Sequence, residues 1–318
     1  MSQYGIVLTS RNNYKMLDKV WLPHMGDIPA PVLNIDEDSE SSEIDRGKNI
    51  CKNAGISFIS YQKRGMQNNM ATAVEFFGKE VKYIIWFQHD CWPLDNLYFH
   101  SRMKSLIESG KINNFGTIGF NGLATDVTKN YKSYVEKVKQ GKKPIGIVAR
   151  CPLECNRRWY TTKGSKHNKP INGKLFQKPF SVEIPAWFAI ALNVKMFKKY
   201  IKPCSEYIFF HAWDDLCFQF LNKNIHNVIM PDIYICHRPD IKSDAGMPIR
   251  SSTKNKKVRK KFYGGCHNRH LTVWKKRWGF DYTKRDTFKK VKNKYRKTLL
   301  YNFYKHDPSV GPLRSFDL

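Results

Sequence analysis

An alternation of apolar, strand-like runs with helix-forming segments fills roughly the first 125 residues, and it limits the fold more than any other feature of the chain. The strand-like runs are Tyr4 to Ser10, Pro31 to Asp36, Ile56 to Tyr61, Lys82 to Phe87 and Phe115 to Gly122. Between them, segments 42–54 and 67–77 carry periodic apolar positions typical of helices. This order predicts an α/β fold with a mixed, mostly parallel sheet flanked by helices.

Polar side chains follow several of these strands. They are Thr9, Ser10 and Arg11 after the first, Asp36, Glu37 and Asp38 after the second, His89 and Asp90 after the fourth, and His237 at the end of a late apolar run within 228–240. Ligands of open α/β sheets bind at the carboxyl ends of the strands, so these side chains are the candidates for a binding site. Asp90 is the strongest of them, since an acid directly after the apolar run YIIWF has few structural reasons to be there.

The second half of the chain is less regular. Segment 156–179 is polar, basic and rich in turn-forming residues, which predicts an insertion or mobile loop. Order returns at 180–193, followed by a predicted helix at 194–201 and another at 209–224 that begins with the acids Asp214 and Asp215.

Positive charge is concentrated at the end of the chain. Lys and Arg number 55 against 27 Asp and Glu, and residues 241–318 hold 22 of these cations and five acids. This basic C-terminal extension predicts a polyanionic partner or an anionic membrane surface. Its aromatic residues either stack on nucleic-acid bases or pack the extension onto the rest of the chain; they are Phe262, Tyr263, Trp274, Trp278, Phe280 and Tyr282.

The cysteine spacing and the hydropathy of the chain indicate the cellular compartment in which the protein is expected. The eight cysteines lack the dense spacing of a disulfide scaffold, and the opening MSQYGIVLTSR has no signal-peptide pattern. The longest strongly apolar stretch, AWFAIALNV, is about half of the ~20 residues that a membrane helix needs. We therefore expect a cytoplasmic protein that does not span a bilayer.

Taken in order, these motifs resemble the GT-A glycosyltransferases, particularly the inverting enzymes similar to family 2. GIVLTSRNNYKML resembles their opening strand and loop, VLNIDEDSESS the strand with the nucleotide-binding acid, and RGMQNNMATAVEFF the helix start before the central strand. YIIWFQHDCWPL occupies the place of the DXD motif, FFHAWDDLCFQF that of the WED-like acidic helix, and MPDIYICHRPD that of the strand with a terminal histidine.

The resemblance implies a catalytic domain over 1–240, with a nucleotide-sugar-binding half at 1–125 and an acceptor-side half at 180–240. It implies that a UDP-sugar donor is bound by residues of the first half, namely Thr9, Ser10, Arg11, Asp36, Asp38, Arg64, Asn68 and His89. A divalent cation, Mn²⁺ or Mg²⁺, would be held by Asp90 and His237. Where the DXD motif offers two acids, QHD offers Gln88, His89 and Asp90.

The same resemblance implies that Asp215 or Asp214 is the base that deprotonates the acceptor hydroxyl, and it favours Asp215. Combined with the charge, it predicts a DNA acceptor, a 5-hydroxymethylated base of a bacteriophage-type genome, contacted through the extension and the loop at 156–179. Two alternatives stay open: a lipid-linked or surface glycan as acceptor, and a nucleic-acid-binding protein without catalysis on a transferase scaffold. The sugar and the oligomeric state have no sequence signal.

Overall fold

The computed structural model describes residues 3–12, 14–25, 28–62, 64–123, 146–151, 158–161, 178–186, 188–208, 211–237, 268–306 and 313–318. For residues 123, 146–151 and 158–161 the description covers the backbone only.

The first half of the chain forms the parallel sheet that the alternation predicts. Its strands are β1 (Tyr4–Ser10), β2 (Val32–Glu37), β3 (Ser57–Tyr61) and β4 (Tyr83–Phe87), in the order β3-β2-β1-β4. All three pairs of neighbours are parallel, so their carboxyl ends lie at one edge. The predicted helices are confirmed as α2 (Ser41–Asn53) and α3 (Met66–Phe77).

The second half extends this sheet and makes it mixed. β11 (Ala189–Asn193) is antiparallel to β4 and to β6 (Thr117–Leu123), and the long β12 (Asn227–His237) runs parallel to β6. β6 and β12 therefore point the same way as β4, which brings the end of β12 to the edge where β4 ends. Shorter strands complete the sheet: β5 (Cys91–Pro93), β7 (Gly146–Cys151), β8 (Arg158–Thr161), β9 (Phe180–Val182) and β10 (Ile184–Pro185).

Helices cover the sheet. The first, α1, is irregular and consists of Tyr14–Met16, a π-helical Leu17–Trp21 and Leu22–Met25. The others are α4 (Asn96–Glu108), α5 (Val194–Tyr200), α6 (Ala212–Leu221), α7 (268–278), α8 (Arg285–Lys289), α9 (Lys292–Tyr295) and α10 (Leu299–Lys305). Within the described part of the chain, no helix has both the length and the apolar character that crossing a bilayer requires.

Two apolar cores lie on the two faces of the sheet. Along β4, Ile85 and Phe87 point into one core, whereas Ile84 and Trp86 point into the other. Side chains alternate between faces in a strand, so a strand that is covered on both sides is apolar at every position. This explains the uninterrupted run YIIWF and makes the polar residues that follow it stand out.

A third core joins the C-terminal extension to α6. Trp274, Trp278, Phe280 and Tyr282 are at most 5% exposed and pack with Phe218 of α6. Of the two roles that the sequence leaves open for these aromatic residues, packing is therefore the correct one, because rings that are buried in this way are not available to stack on bases. Phe262 and Tyr263 lie outside the described residues.

A short part of one predicted loop lies within the described residues. Within the predicted loop at 156–179, Arg158–Thr161 forms β8 and pairs antiparallel with β7. Residues 162–177 lie outside the described residues, and the division of the chain at residue 240 stays a prediction.

Candidate functional site

Three potential metal ligands meet at the carboxyl edge of the sheet: Asp90, Cys91 and His237. One donor atom from each lies within 4.8 Å of the others. The Oδ2 atom of Asp90 is 3.5 Å from Nε2 of His237, and the Sγ atom of Cys91 is 3.5 Å from Oδ1 of Asp90. Asp90 and Cys91 are buried and His237 is partly exposed, so the cluster is open to solvent on the histidine side.

Sheet pairing sets this geometry. Asp90 follows β4 through a turn in which the Cys91 amide donates to the Gln88 carbonyl, at 3.0 Å. Cys91 then starts β5, where it pairs directly with His237 of the antiparallel β12. Directly opposed residues of antiparallel strands project to the same face. The predicted pair of Asp90 and His237 is thus brought together, although 147 positions separate them in the sequence. A carboxylate, an imidazole and a thiol are a donor set that suits a divalent cation.

His89 turns away from this cluster and contacts the end of β1. Its Nε2 atom is 3.1 Å from the hydroxyl of Ser10, which also donates to Oδ1 of Asn34 at 2.5 Å. Burial lowers the pKa of His89 to about 4, against an opposing effect of the neighbouring Asp90. A neutral His89 therefore holds the loop after β4 against β1. Thr9, beside Ser10, accepts a hydrogen bond from Nε1 of Trp86 at 3.0 Å.

The acids after β2 differ in their surroundings. Asp36 is fully buried, and hydroxyl groups donate to its carboxylate from Tyr14 (2.5 Å), Ser60 (3.1 Å) and Ser39. These contacts fix the loop after β2. Asp38, by contrast, is exposed and forms an ion pair of 2.9 Å with Arg11. The two predicted nucleotide ligands Asp38 and Arg11 therefore meet at the rim.

Glu37, which follows the second strand with Asp36 and Asp38 but has no role assigned by the resemblance, organises the start of α3. Its Oε1 atom accepts hydrogen bonds from the amides of Arg64 (2.8 Å) and Gly65 (2.7 Å), and Oε2 accepts one from Asn69 (2.7 Å). The loop carries the exposed Arg64, whose guanidinium lies 4.5 Å from the centre of the Tyr61 ring.

Asn68 also belongs to this turn. Its side-chain amide donates to the backbone carbonyl of Arg64 at 2.8 Å. Glu37 of β2 thus holds the turn that carries Arg64 and Asn68 beside the end of β3. The resemblance predicts nucleotide contacts for both of these residues.

Asp214 forms a buried pair with a histidine at the start of α6. Oδ2 of Asp214 is 2.7 Å from Nδ1 of His211, and the hydroxyl of Tyr282 contacts the same imidazole. His211 itself has a left-handed backbone, with φ of 62°. Such a conformation is costly for a residue with a side chain and is concentrated at functional sites. The motif HAWDD places His211 directly before the helix and Asp214 in its first turn, where the two side chains meet.

Asp215, the other predicted base, is held on every side. Oδ2 accepts hydrogen bonds from Gln67 and Gln219, both at 2.9 Å, and lies 3.1 Å from the guanidinium of Arg277, while Oδ1 accepts one from Trp278 at 2.8 Å. Burial raises the pKa of Asp215, and Arg277 and these donors oppose that effect. Because both oxygens are engaged, the carboxylate serves to join α6 to α3 and α7.

Comparison with known proteins identifies the fold. No protein-family model matches the sequence, and no curated protein matches it either. Among solved structures, GalNAc-T7 in complex with UDP, GalNAc and Mn²⁺ is similar, with a TM-score of 0.51 and 10% sequence identity. The match covers 74% of this chain and 44% of that one, so the chain spans less than half the length of this neighbour. The mixed sheet with its flanking helices is therefore a GT-A glycosyltransferase fold.

Proposed function

We propose that the chain is a metal-assisted glycosyltransferase that moves a sugar from a UDP-sugar to an acceptor hydroxyl group. The observation that carries this proposal is the convergence of Asp90 and His237 at the carboxyl edge of the sheet. That edge is where ligands bind in α/β sheets. The GT-A neighbour, a structure with UDP, GalNAc and Mn²⁺, supports the class of donor and of metal.

Asp90 and His237 would hold the divalent cation. When bound, such a cation neutralises the charge that develops on the diphosphate leaving group. For the nucleotide, we assign direct contacts to the side chains at the rim, which are Arg11, Asp38, Arg64, Asn68 and Thr9. The buried Ser10, Asp36 and His89 would act by fixing the loops that carry them.

For an inverting transfer, the acceptor oxygen attacks the anomeric carbon while the bond to the UDP oxygen breaks and UDP leaves with the electron pair. The acceptor proton must then pass to a base. The four partners of Asp215 favour Asp214 for this role, with His211 as its hydrogen-bonded partner. Asp214 is as fully buried as Asp215, so the assignment requires that acceptor binding uncovers its carboxylate. In this proposal Asp215 holds the base-bearing helix in place.

We further propose that the acceptor is a 5-hydroxymethylated base in DNA. The observation that favours it is the charge of residues 268–306, which contain 13 Lys and Arg and two acids. Eight of these cations are exposed on α8, α9 and the residues that flank them: Lys284, Arg285, Lys289, Lys290, Lys292, Lys294, Arg296 and Lys297. A surface of this kind suits the phosphate backbone, which supplies sequence-independent affinity.

Release of UDP from a panel of UDP-sugars tests the enzymatic proposal. We expect release that requires Mn²⁺ or another divalent cation and that stops with EDTA. It should fall by more than about 100-fold in Asp90→Asn and His237→Ala, since loss of a group that merely supports a metal ligand costs about 10- to 100-fold. Asp45→Asn is the control, because this exposed acid lies on α2, outside the cluster. Absence of UDP release with every donor and metal would refute the enzymatic proposal.

The acceptor is tested separately. Hydroxymethylcytosine DNA is incubated with the protein and each donor, then digested to nucleosides for mass spectrometry. A hexose or pentose mass gain supports a DNA acceptor. UDP release without a mass gain, together with co-sedimentation on anionic vesicles and no binding to duplex DNA, would instead favour a lipid-linked glycan.

A further inference from the structure

The thiol of Cys91 lies inside the candidate metal site. We propose that Cys91 is the third protein ligand and gives the site a preference for thiophilic divalent metals such as Zn²⁺, Co²⁺ and Cd²⁺ over Mg²⁺. This inference rests on the proposed function, because it concerns the same metal. It adds a soft sulfur donor to the Asp90 and His237 pair that the resemblance implies.

The distances support this role. Ligands at about 2.0–2.3 Å from a tetrahedral ion are separated from each other by about 3.3–3.8 Å. Sγ of Cys91 is 3.5 Å from Oδ1 of Asp90, and Nε2 of His237 is 3.5 Å from Oδ2 of the same carboxylate. All three donor atoms lie within 4.8 Å of one another, so small side-chain rotations suffice to bring them around one ion.

The backbone holds the thiol in this position. Cys91 and His237 are opposed in the antiparallel pair of β5 and β12, and Asp90 directly precedes Cys91. Cys91 and His237 therefore lie on hydrogen-bonded strands, and Asp90 is the residue before one of them. This pairing holds the three side chains more rigidly than a loop would. A thiolate selects softer metals, whereas Mg²⁺ prefers oxygen ligands in octahedral geometry.

A purely apolar role for Cys91 makes a different prediction. Cys91 is fully buried among the core residues on its face of the sheet, and a buried cysteine often serves only as a small apolar side chain. That role accounts for the burial, but it needs no carboxylate 3.5 Å from Sγ and no imidazole on the facing residue. Metal spectroscopy separates the two roles.

The experiment is titration of the full-length protein with Co²⁺ in the presence of UDP, monitored by absorption. A thiolate bound to Co²⁺ gives a near-ultraviolet charge-transfer band, and the visible bands report that the ion is bound. We expect the charge-transfer band in the wild type and in Cys51→Ser, a control whose thiol is equally buried but lies on α2. Both Cys91→Ser and His237→Ala should lose it.

Metal preference is the second readout. In the wild type, Zn²⁺ should displace Co²⁺ at much lower concentration than Mg²⁺, and Cys91→Ser should narrow this difference by at least tenfold, the order expected when a first ligand is lost. Thermal unfolding of Cys91→Ser without metal shows whether the variant is folded, and if it is not, Cys91→Ala replaces it.

The outcomes distinguish this inference from the proposed function. If the wild type shows the visible Co²⁺ bands but no charge-transfer band, Cys91 is not a metal ligand. The same conclusion follows if the charge-transfer band persists in Cys91→Ser. Either result leaves the transferase proposal unaffected. Absence of Co²⁺ binding with UDP present overturns the metal site itself, and with it the metal-assisted mechanism.

Discussion

Arg277 of α7 places its guanidinium 3.1 Å from the carboxylate of Asp215 in α6, and the carboxylate is fully buried. This contact ties the basic C-terminal extension to the helix that carries both candidate bases. It makes the extension part of the structure that supports the site, and the third apolar core around Trp274 has the same effect.

The first prediction concerns Asp215. Asp215→Asn removes the buried carboxylate that accepts hydrogen bonds from Gln219 and Trp278 and pairs with Arg277. Because Arg277 stays partly exposed, no buried charge is left without a partner, and we expect the free energy of unfolding to fall by about 1.5–3 kcal/mol, the range for hydrogen bonds to charged groups. Urea unfolding measures this loss, with Asp45→Asn as the control for an exposed acid. A loss below about 1 kcal/mol would show that the pair is not a structural tie.

The second prediction concerns Asp214. Asp214→Asn keeps the size of the side chain but removes the negative charge beside His211, so it removes the group to which we assign the acceptor proton. We expect transfer to the acceptor to fall by about 10²- to 10⁴-fold, the usual contribution of a general base. The affinity for Mn²⁺ and UDP should not change. A variant that transfers at the wild-type rate contradicts this assignment.

The parallel half of the sheet was predictable because local sequence determines it. The run YIIWF must be covered on both faces, and the observed β4 (Tyr83–Phe87) begins one residue after the predicted strand. The carboxyl-edge position of Asp90 follows from that strand. In contrast, β5 is three residues long, and its pairing with β12 depends on a contact between distant segments. That pairing places Cys91 in the site, and no local pattern indicates it.

The choice between the two neighbouring acids also lay beyond the sequence. Asp214 and Asp215 share one motif, yet they differ by about 100° around the helix, so they face different partners. Asp215 meets Arg277 and Trp278 from a segment some 60 residues later in the chain, whereas Asp214 meets His211. Tertiary packing thus gives the two candidate bases different partners.

The third prediction concerns Gly65, at the start of α3. Its φ is +85°, and an added Cβ would lie 2.8 Å from the carbonyl oxygen of Tyr207. Gly65→Ala should destabilise the protein by about 1–3 kcal/mol and shift the loop that carries Arg64. Gly55→Ala is a matched control, since Gly55 has φ of +67° but open space around the Cβ position. Equal costs in urea unfolding would show that the close approach to Tyr207 has no effect.

The fourth prediction concerns the packing of the extension. Trp274 is fully buried, and its ring is 4.8 Å from that of Phe218 in α6. Trp274→Ala should reduce the free energy of unfolding by about 3–5 kcal/mol, as for other large core residues. Leu97→Ala, at a site with 78% exposure, should change it by less than about 0.5 kcal/mol. If Trp274→Ala leaves the free energy of unfolding unchanged, the extension folds independently of α6.

The fifth prediction tests the basic surface of α9 and the residues after it. Lys292, Lys294 and Lys297 are exposed, so replacing all three by alanine should leave the urea midpoint unchanged. If they contact phosphates, the slope of log binding constant against log salt for duplex DNA should become less negative by about 0.9 per lost contact, or about 2.7 for three. Fluorescence anisotropy between about 50 and 200 mM salt measures the slope.

The exposed Lys19 on α1 and Lys104 on α4 provide a control pair away from this surface. An unchanged slope in the triple variant removes this surface from DNA binding, because counterion release scales with the number of neutralised phosphates and not with total protein charge.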